Sequence, residues 1–429
     1  MTTRSSRSRI ALALGAGALA LAACAPSSSS GGDGGGDGTT LTVWSWRVED
    51  KAAYEKIFDV YEKAHPGVTV DFKPFKATEY NKILATGLAG KDGPDVPQVR
   101  SYGQLQGTVA SGSLVPLDGK VDLSSWDENV VASAKGKTDG KLYSVPLARQ
   151  ATVLFYNKKL FSDNGIQVPT TWDQFIAAND TFLKKGITPL AVGAKDDWTL
   201  PIVHEVLAGS RFGGTDFQKA VTTGQKDFTD PDFVASVEVL KQLEKYMPKS
   251  VTGVAVTDAM TLFTSGKAAM YPGGSYDLAT LQKGNPDLEV GVMQVPPPSG
   301  APSGATGTTA GWADGNFAVN SKSPHQEAAT ELVQWMATPE FGQLVADEVK
   351  QISAVPGVTY SDPVLKQVAD DYDKTGSPYL LLTDFRYGSP TGTDLLGKGA
   401  QELFLGSKDA KTVSTELNTG VMTWFKPTS

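Results

Sequence analysis

Cysteine is nearly absent from this 429-residue chain: Cys24 stands alone, and the three histidines, His65, His204 and His325, lie far apart. An internal disulfide is therefore impossible, and no Cys/His set has the spacing of a zinc site. Beyond residue 23 no apolar run is long enough to cross a bilayer as a helix. Positive charge is also in deficit. The net charge of −8 becomes −11 once the three arginines of residues 1–23 are removed, which argues against a nucleic-acid partner. A phosphate-cradling glycine loop, a G-x-S-x-G elbow and a calcium-binding loop are missing as well, so neither a metal nor another cofactor is expected.

What the sequence does contain begins at its first residues. Arg4, Arg7 and Arg9 precede the apolar run "IALALGAGALALAA", which has the charge and length of a signal peptide and not of a membrane anchor. The run ends in Leu21-Ala22-Ala23-Cys24, which resembles the lipobox of bacterial lipoproteins, so residues 1–23 are read as the signal peptide and Cys24 as the lipidated first residue of the mature protein. An ordinary secretory signal that happens to contain a cysteine is the alternative. It leaves a lone thiol exposed in an exported protein, whereas lipidation accounts for it. The Ser/Gly/Asp tract that follows has too few apolar side chains to offset the entropy of ordering, and residues 24–40 are expected to act as a flexible tether.

From Leu41 the chain reads as alternating strands and helices. "TLTVWSW" is a strand signal, and residues 49–64 then place Tyr54, Ile57, Phe58 and Tyr61 on one helical face. "VTVDF" is the next strand, a second helix buries Tyr80, Leu84 and Leu88, and "GPDVPQV" leads into a third strand. This rhythm implies a parallel sheet covered by helices, with ligands at the carboxyl ends of its strands. A second sheet is expected to start in "SVPLARQATVLFYN". Thr171 and Gln174 have the capping-box spacing for a helix whose inner face is Trp172, Phe175, Ile176, Asn179, Phe182 and Leu183. "ITPLAVGA" reads as a strand, "PPPSGAPSGATGTTAG" as a surface loop, and Ser323-Pro324 as the start of a helix with Ala329, Leu332, Val333 and Met336 inward. About 390 residues are too many for one simple core, so two lobes are expected.

Six motifs in order carry a family resemblance: "LTVWSW", "GPDVPQV", "LYSVPLARQATVLFYNKKLFSDNGIQVPTTWDQF", "GITPLAVGAKDDW", "FTSGKAAMYPGGSY" and "FAVNSKSPHQEAATELVQWMATPEFG". Each alone is weak, but the ordered set resembles the family 1 extracellular solute-binding proteins, the sugar-capturing components of ABC importers. The resemblance implies an α/β fold of two lobes, each a sheet flanked by helices, joined by hinge crossings at 148–151, near 311–317 and around 357–361. It implies a first lobe of 40–148 plus 316–358 and a second of 149–315 plus 359–429.

A sugar offers an apolar face and a rim of hydroxyls, so its site needs aromatic platforms and directional polar groups. At the end of the first strand stand Trp44, Trp46 and Arg47; alternation places both tryptophans on one face, where they serve either the cleft or the core. The resemblance further implies Tyr102, Arg149 and Gln150, the last standing where the type member of the family has a carboxylate. It also implies Asp196, Asp197 and Trp198 after "ITPLAVGA", Tyr276 as a second platform, Trp312 and Asp314 at a crossing, and Arg386 in the tail. No cationic cluster is visible in the sequence, which favours a neutral sugar. The implied protein is a monomeric, non-enzymatic carrier at the extracytoplasmic face of the membrane, lipid-anchored through Cys24, with a carbohydrate ligand and ABC permease subunits as partners. A lipoprotein glycosidase with a carboxylate pair, or a carrier of the same fold for a different solute, are the alternatives.

Overall fold

The computed structural model describes residues 38–428; Cys24, the leader and most of the Ser/Gly tract lie outside the described residues. Strand β1 (Thr39–Ser45) pairs in parallel with β2 (Val68–Pro74) on one side and with β3 (Val96–Val99) on the other. Alternation along β1 sends Leu41 and Val43 to one face and Trp44 to the opposite one. The helix Lys51–Ala64 covers the first face with Tyr54, Ile57, Phe58 and Tyr61, all buried. The helix Ala77–Ala89 covers the other with Tyr80, Leu84 and Leu88. Each such large side chain contributes about 1.5–3 kcal/mol by leaving water, so the strand is clamped from both faces.

The first lobe is completed by strands from later in the chain. In the order of their appearance come β4 (Ser144–Val145), β5 (Ala148–Asn157), β6 (Thr188–Leu190), β7 (Ala268–Gly274), β8 (Val290–Met293), β9 (Thr309–Asp314), β10 (Asn316–Ala318) and β11 (Gly376–Pro378). The first sheet runs β2-β1-β3-β10-β4, with β10 antiparallel to both of its neighbours. The second runs β11-β9-β5-β7-β6, and β8 also pairs with β5. Two sheets flanked by helices make a two-lobed α/β molecule.

Strand β5 joins them. Its first four residues, Ala148–Ala151, pair with Gly311–Asp314 of β9, and its remainder pairs with β7 and β8. From β9 the chain turns at Gly315, whose φ of 78° favours glycine, and enters β10 of the first sheet. A third segment lies alongside: Arg149 N donates to Ile352 O at 2.8 Å and Ala354 N to Leu147 O at 2.9 Å.

Some local expectations need correction. Leu183 is exposed, because it sits about 80° around the helix from Phe175 while Phe182 lies nearly in line with it. Thr171 caps Gln174 N as expected, but the Gln174 side chain accepts from Thr170 and not from Thr171. The helix expected at Ser323-Pro324 starts at Gln326, two residues later; Ser323 Oγ accepts from His325 N at 2.9 Å while donating to Asp95 at 2.5 Å. Only Thr188–Leu190 of "ITPLAVGA" is strand. Among the described residues no helix is long and apolar enough to cross a membrane, and no group of three His, Cys, Asp or Glu is placed to hold a metal.

Candidate functional site

Strand ends converge where the lobes meet. Trp46 and Arg47 follow β1, Arg100 to Tyr102 follow β3, and Trp312 and Asp314 end β9. The second lobe adds Tyr276 after β7 and, from the tail, Tyr379 and Arg386. In an α/β sheet the loops after the strands are the part left uncovered by helices, which is why polar groups can gather there.

The geometry is a mixed aromatic and ionic cluster. The Arg100 guanidinium lies 3.7 Å from the centre of the Trp46 ring, and its Nη1 is 3.5 Å from Asp314 Oδ2. Ser101 Oγ donates to Asp314 Oδ1 at 3.3 Å, and Ala313 N donates to the Tyr102 hydroxyl at 3.1 Å. Tyr102 itself has φ 53° and ψ −124°, an unfavourable conformation for a bulky side chain and one that aims the turn into the helix Gly103–Ala110. Trp312 meets Tyr276 edge-on at 6.4 Å and Tyr379 at 5.7 Å. Other links reach across the junction as well: Arg47 Nη2 donates to Tyr276 O at 3.0 Å, and Arg386 Nη1 donates to Gln104 Oε1 at 3.4 Å.

Electrostatics follow from burial. Desolvation alone would push Arg47 toward neutrality, but Asp50 and Glu49 outweigh it and raise its pKa. Burial lowers Arg100 despite Asp314, and it lowers Arg386 to about 10, with Asp314 opposing and Arg100 reinforcing the shift. Asp277, beside Tyr276, is pushed up to about 7 by burial, against the pull of the Gly274 N–H. Glu205, on the helix Leu200–Phe212, is pushed up to about 8 by burial and bears on Tyr379, whose buried hydroxyl has no partner among the described residues.

Seven of the residues singled out from sequence are brought together: Trp46, Arg47, Tyr102, Tyr276, Trp312, Asp314 and Arg386. Trp198 is 45% exposed and borders a small pocket that Tyr276 and Asp277 also line. Trp44 lies apart, packed on Phe75 and against Gly87 of the helix Ala77–Ala89. Asp196 accepts from Val256 N at 2.8 Å, and the Asp197 backbone packs against Gly397. Arg149 pairs with Asp373 at 2.7 Å, while Gln150 is buried between Gln351 and Ser275 at the paired strands β5 and β9.

Sequence reasoning missed Arg100, Glu205, Tyr379 and Gln104. Arg100 is the first residue after β3, so the strand-end rule that singled out Trp46 and Arg47 could have found it. The expectation that cations do not cluster is overturned: Arg47, Arg100 and Arg386, scattered along the chain, share one junction.

A two-lobed α/β molecule with charged and aromatic groups converging between its sheets has the architecture of a binding protein, and solved structures share it. The solute receptor AcbH, described as having an exclusive preference for β-D-galactopyranose, superposes with a TM-score of 0.77 at 23% identity, over 91% of this chain and 100% of that one. A chain solved in work on xylan utilization by Caldanaerobius polysaccharolyticus gives 0.77 at 23%, over 89% and 99%. The chain belongs to the bacterial extracellular solute-binding protein family, which matches residues 45–343. Its relatives include the multiple sugar-binding protein of Streptococcus mutans, 27% identical over 321 residues, 72% of this chain and 74% of that protein. Another is the melibiose/raffinose/stachyose-binding protein MelE of Bacillus subtilis, 24% identical over 368 residues and 82% of each chain.

Proposed function

We propose that this protein captures a carbohydrate between its lobes and delivers it to the membrane subunits of an ABC importer, held at the extracytoplasmic face by lipid on Cys24. The lobes are 40–148 plus 316–358 and 149–315 plus 359–429, and they close on the ligand about the strands that join them. The observation that carries the reading is the junction itself, where Trp312, Tyr276 and Tyr379 stand beside Asp314, Arg100 and Arg386. Flat rings suit the C–H face of a sugar, and the charged groups suit its hydroxyls. The names of the relatives in Streptococcus mutans and Bacillus subtilis support a sugar as ligand.

The site is a carrier site and performs no chemistry on what it holds. Capture therefore requires that the sugar leave unchanged. A thermal-shift screen of the mature chain against neutral and acidic mono- and oligosaccharides should raise the melting temperature for one class, because a ligand that binds only the folded state stabilises it by mass action. The same sugar should be recovered intact after prolonged incubation. Absence of any carbohydrate hit sinks the reading, and hydrolysis of the hit replaces it with a glycosidase.

A further inference from the structure

Three guanidinium groups meet at the lobe junction, and their countercharges are unevenly shared. Arg47 is held by two carboxylates, Glu49 at 2.8 Å and Asp50 at 2.6 Å. Arg100 has a looser partner in Asp314 at 3.5 Å. Arg386 has no carboxylate within ion-pair distance among the described residues. Its Nε donates to Thr393 Oγ1 at 3.1 Å and its Nη1 to Gln104 Oε1 at 3.4 Å, both neutral acceptors, and its Nη2 makes no hydrogen bond among the described residues. The acid that bears on it most is Asp314, which is already engaged by Arg100 and by Ser101. One carboxylate thus serves two guanidiniums.

A cation withdrawn from water without its own counterion is costly to the fold. The depressed proton affinity of Arg386, down to about 10, is one sign of that cost. The cost is removed when an anion arrives, and the free Nη2 of Arg386 can donate a charge-assisted hydrogen bond to a carboxylate, joined by Nη1 if its long bond to Gln104 gives way. Arg47 does not offer this, being held by Glu49 and Asp50, whereas Arg100, over the Trp46 ring with Asp314 at 3.5 Å, keeps N–H groups that can share the anion.

We propose that the ligand is an acidic carbohydrate, and that Arg386 binds the carboxylate of its uronic-acid unit with Arg100 close by to complete the charge balance. This narrows the carbohydrate reading above and rests on it. Trp312, Tyr276 and Tyr379 keep their role toward the sugar ring, while the carboxylate takes the place that a neutral sugar would leave to the unbalanced cation. It also reverses the expectation of a neutral sugar, which had rested on the candidate cleft aromatics and on the lack of a cationic cluster in the sequence.

The test is isothermal titration of the mature chain with matched pairs: oligogalacturonides against galacto-oligosaccharides, and glucuronic-acid-substituted against plain xylo-oligosaccharides. At least one acidic member should bind about tenfold or more tighter than its neutral partner, the margin expected of a charge-assisted hydrogen bond over a neutral one, and raised salt should erode the difference. Arg386→Gln should remove that preference for the acid, and Arg386→Lys should retain most of it. Melting temperatures of both variants separate a binding defect from a folding defect. A neutral member that binds as tightly as its acidic partner, or an acidic ligand whose affinity is untouched in a folded Arg386→Gln protein, overturns the proposal and leaves the carbohydrate reading standing. Failure of every sugar, acidic and neutral, defeats both.

Discussion

Glu205 shows what a single residue can conceal from sequence. In "LPIVHEVLAGSRF" it sits in a helix buried on nearly every side, so no amphipathic stripe marks it. Its pKa is raised to about 8 by burial, far above the ordinary carboxyl value of 4.5. The folded state therefore keeps a proton that the unfolded state releases, and the associated stability is fully present below about pH 4.5 and lost as pH climbs toward 8. His204 next to it, pushed down to about 3 by burial, acts in the opposite sense below its ordinary range. Comparing wild type with Glu205→Gln cancels the histidine. Between about pH 5 and pH 8 the wild type should lose a few kcal/mol relative to the glutamine variant. Urea denaturation of both proteins at the two pH values measures it, and parallel curves would show that Glu205 is charged in the fold.

At the scale of elements, the helices were legible because their burial is periodic. Tyr54, Ile57, Phe58 and Tyr61, and then Tyr80, Leu84 and Leu88, face inward as their spacing requires. Helix starts were less so: Ser323 accepts from His325 N, yet the helix begins only at Gln326, and the same hydroxyl is tied to Asp95, 228 residues away. The same reason hid much of the junction. Trp46, Tyr102 and Trp312 follow from the strand-end rule and the family pattern, whereas the Arg386–Gln104 contact spans 282 residues and has no local signal. That contact lies where the helix Gly103–Ala110 begins, and there a methyl group added to Gly103 would collide with the Arg386 carbonyl and crowd Tyr387 N at 2.5 Å. Backbone faces backbone, so no side chain can swing away. Gly103→Ala should hold the lobes apart without disturbing either sheet, weakening ligand binding by at least about tenfold. Small-angle scattering should give the ligand-saturated variant a larger radius of gyration than the ligand-saturated wild type. Unchanged affinity would mean that the contact between Gly103 and Arg386 is not needed for capture.

In the proposed function the whole molecule stays at the membrane while its lobes move. No described helix can cross a bilayer, and the net charge of −11 after removal of residues 1–23 repels anionic lipid headgroups. The attachment proposed above is therefore lipid on Cys24, which requires neither a spanning helix among the described residues nor a basic surface. A single acyl chain binds membranes only marginally, and the two or three of a lipoprotein make attachment lasting. Cys24→Ser removes all of them at one atom and touches nothing in residues 38–428. The variant should appear in the medium as a folded protein with the melting temperature and sugar affinity of the wild-type ectodomain, while uptake of the sugar by cells falls because the captured ligand is no longer held beside its permease. Fractionation after a salt wash reads the first outcome and a radiolabelled-sugar uptake assay the second. A serine variant that stays with the membrane through the wash would mean that some other contact, protein or lipid, holds the molecule in place.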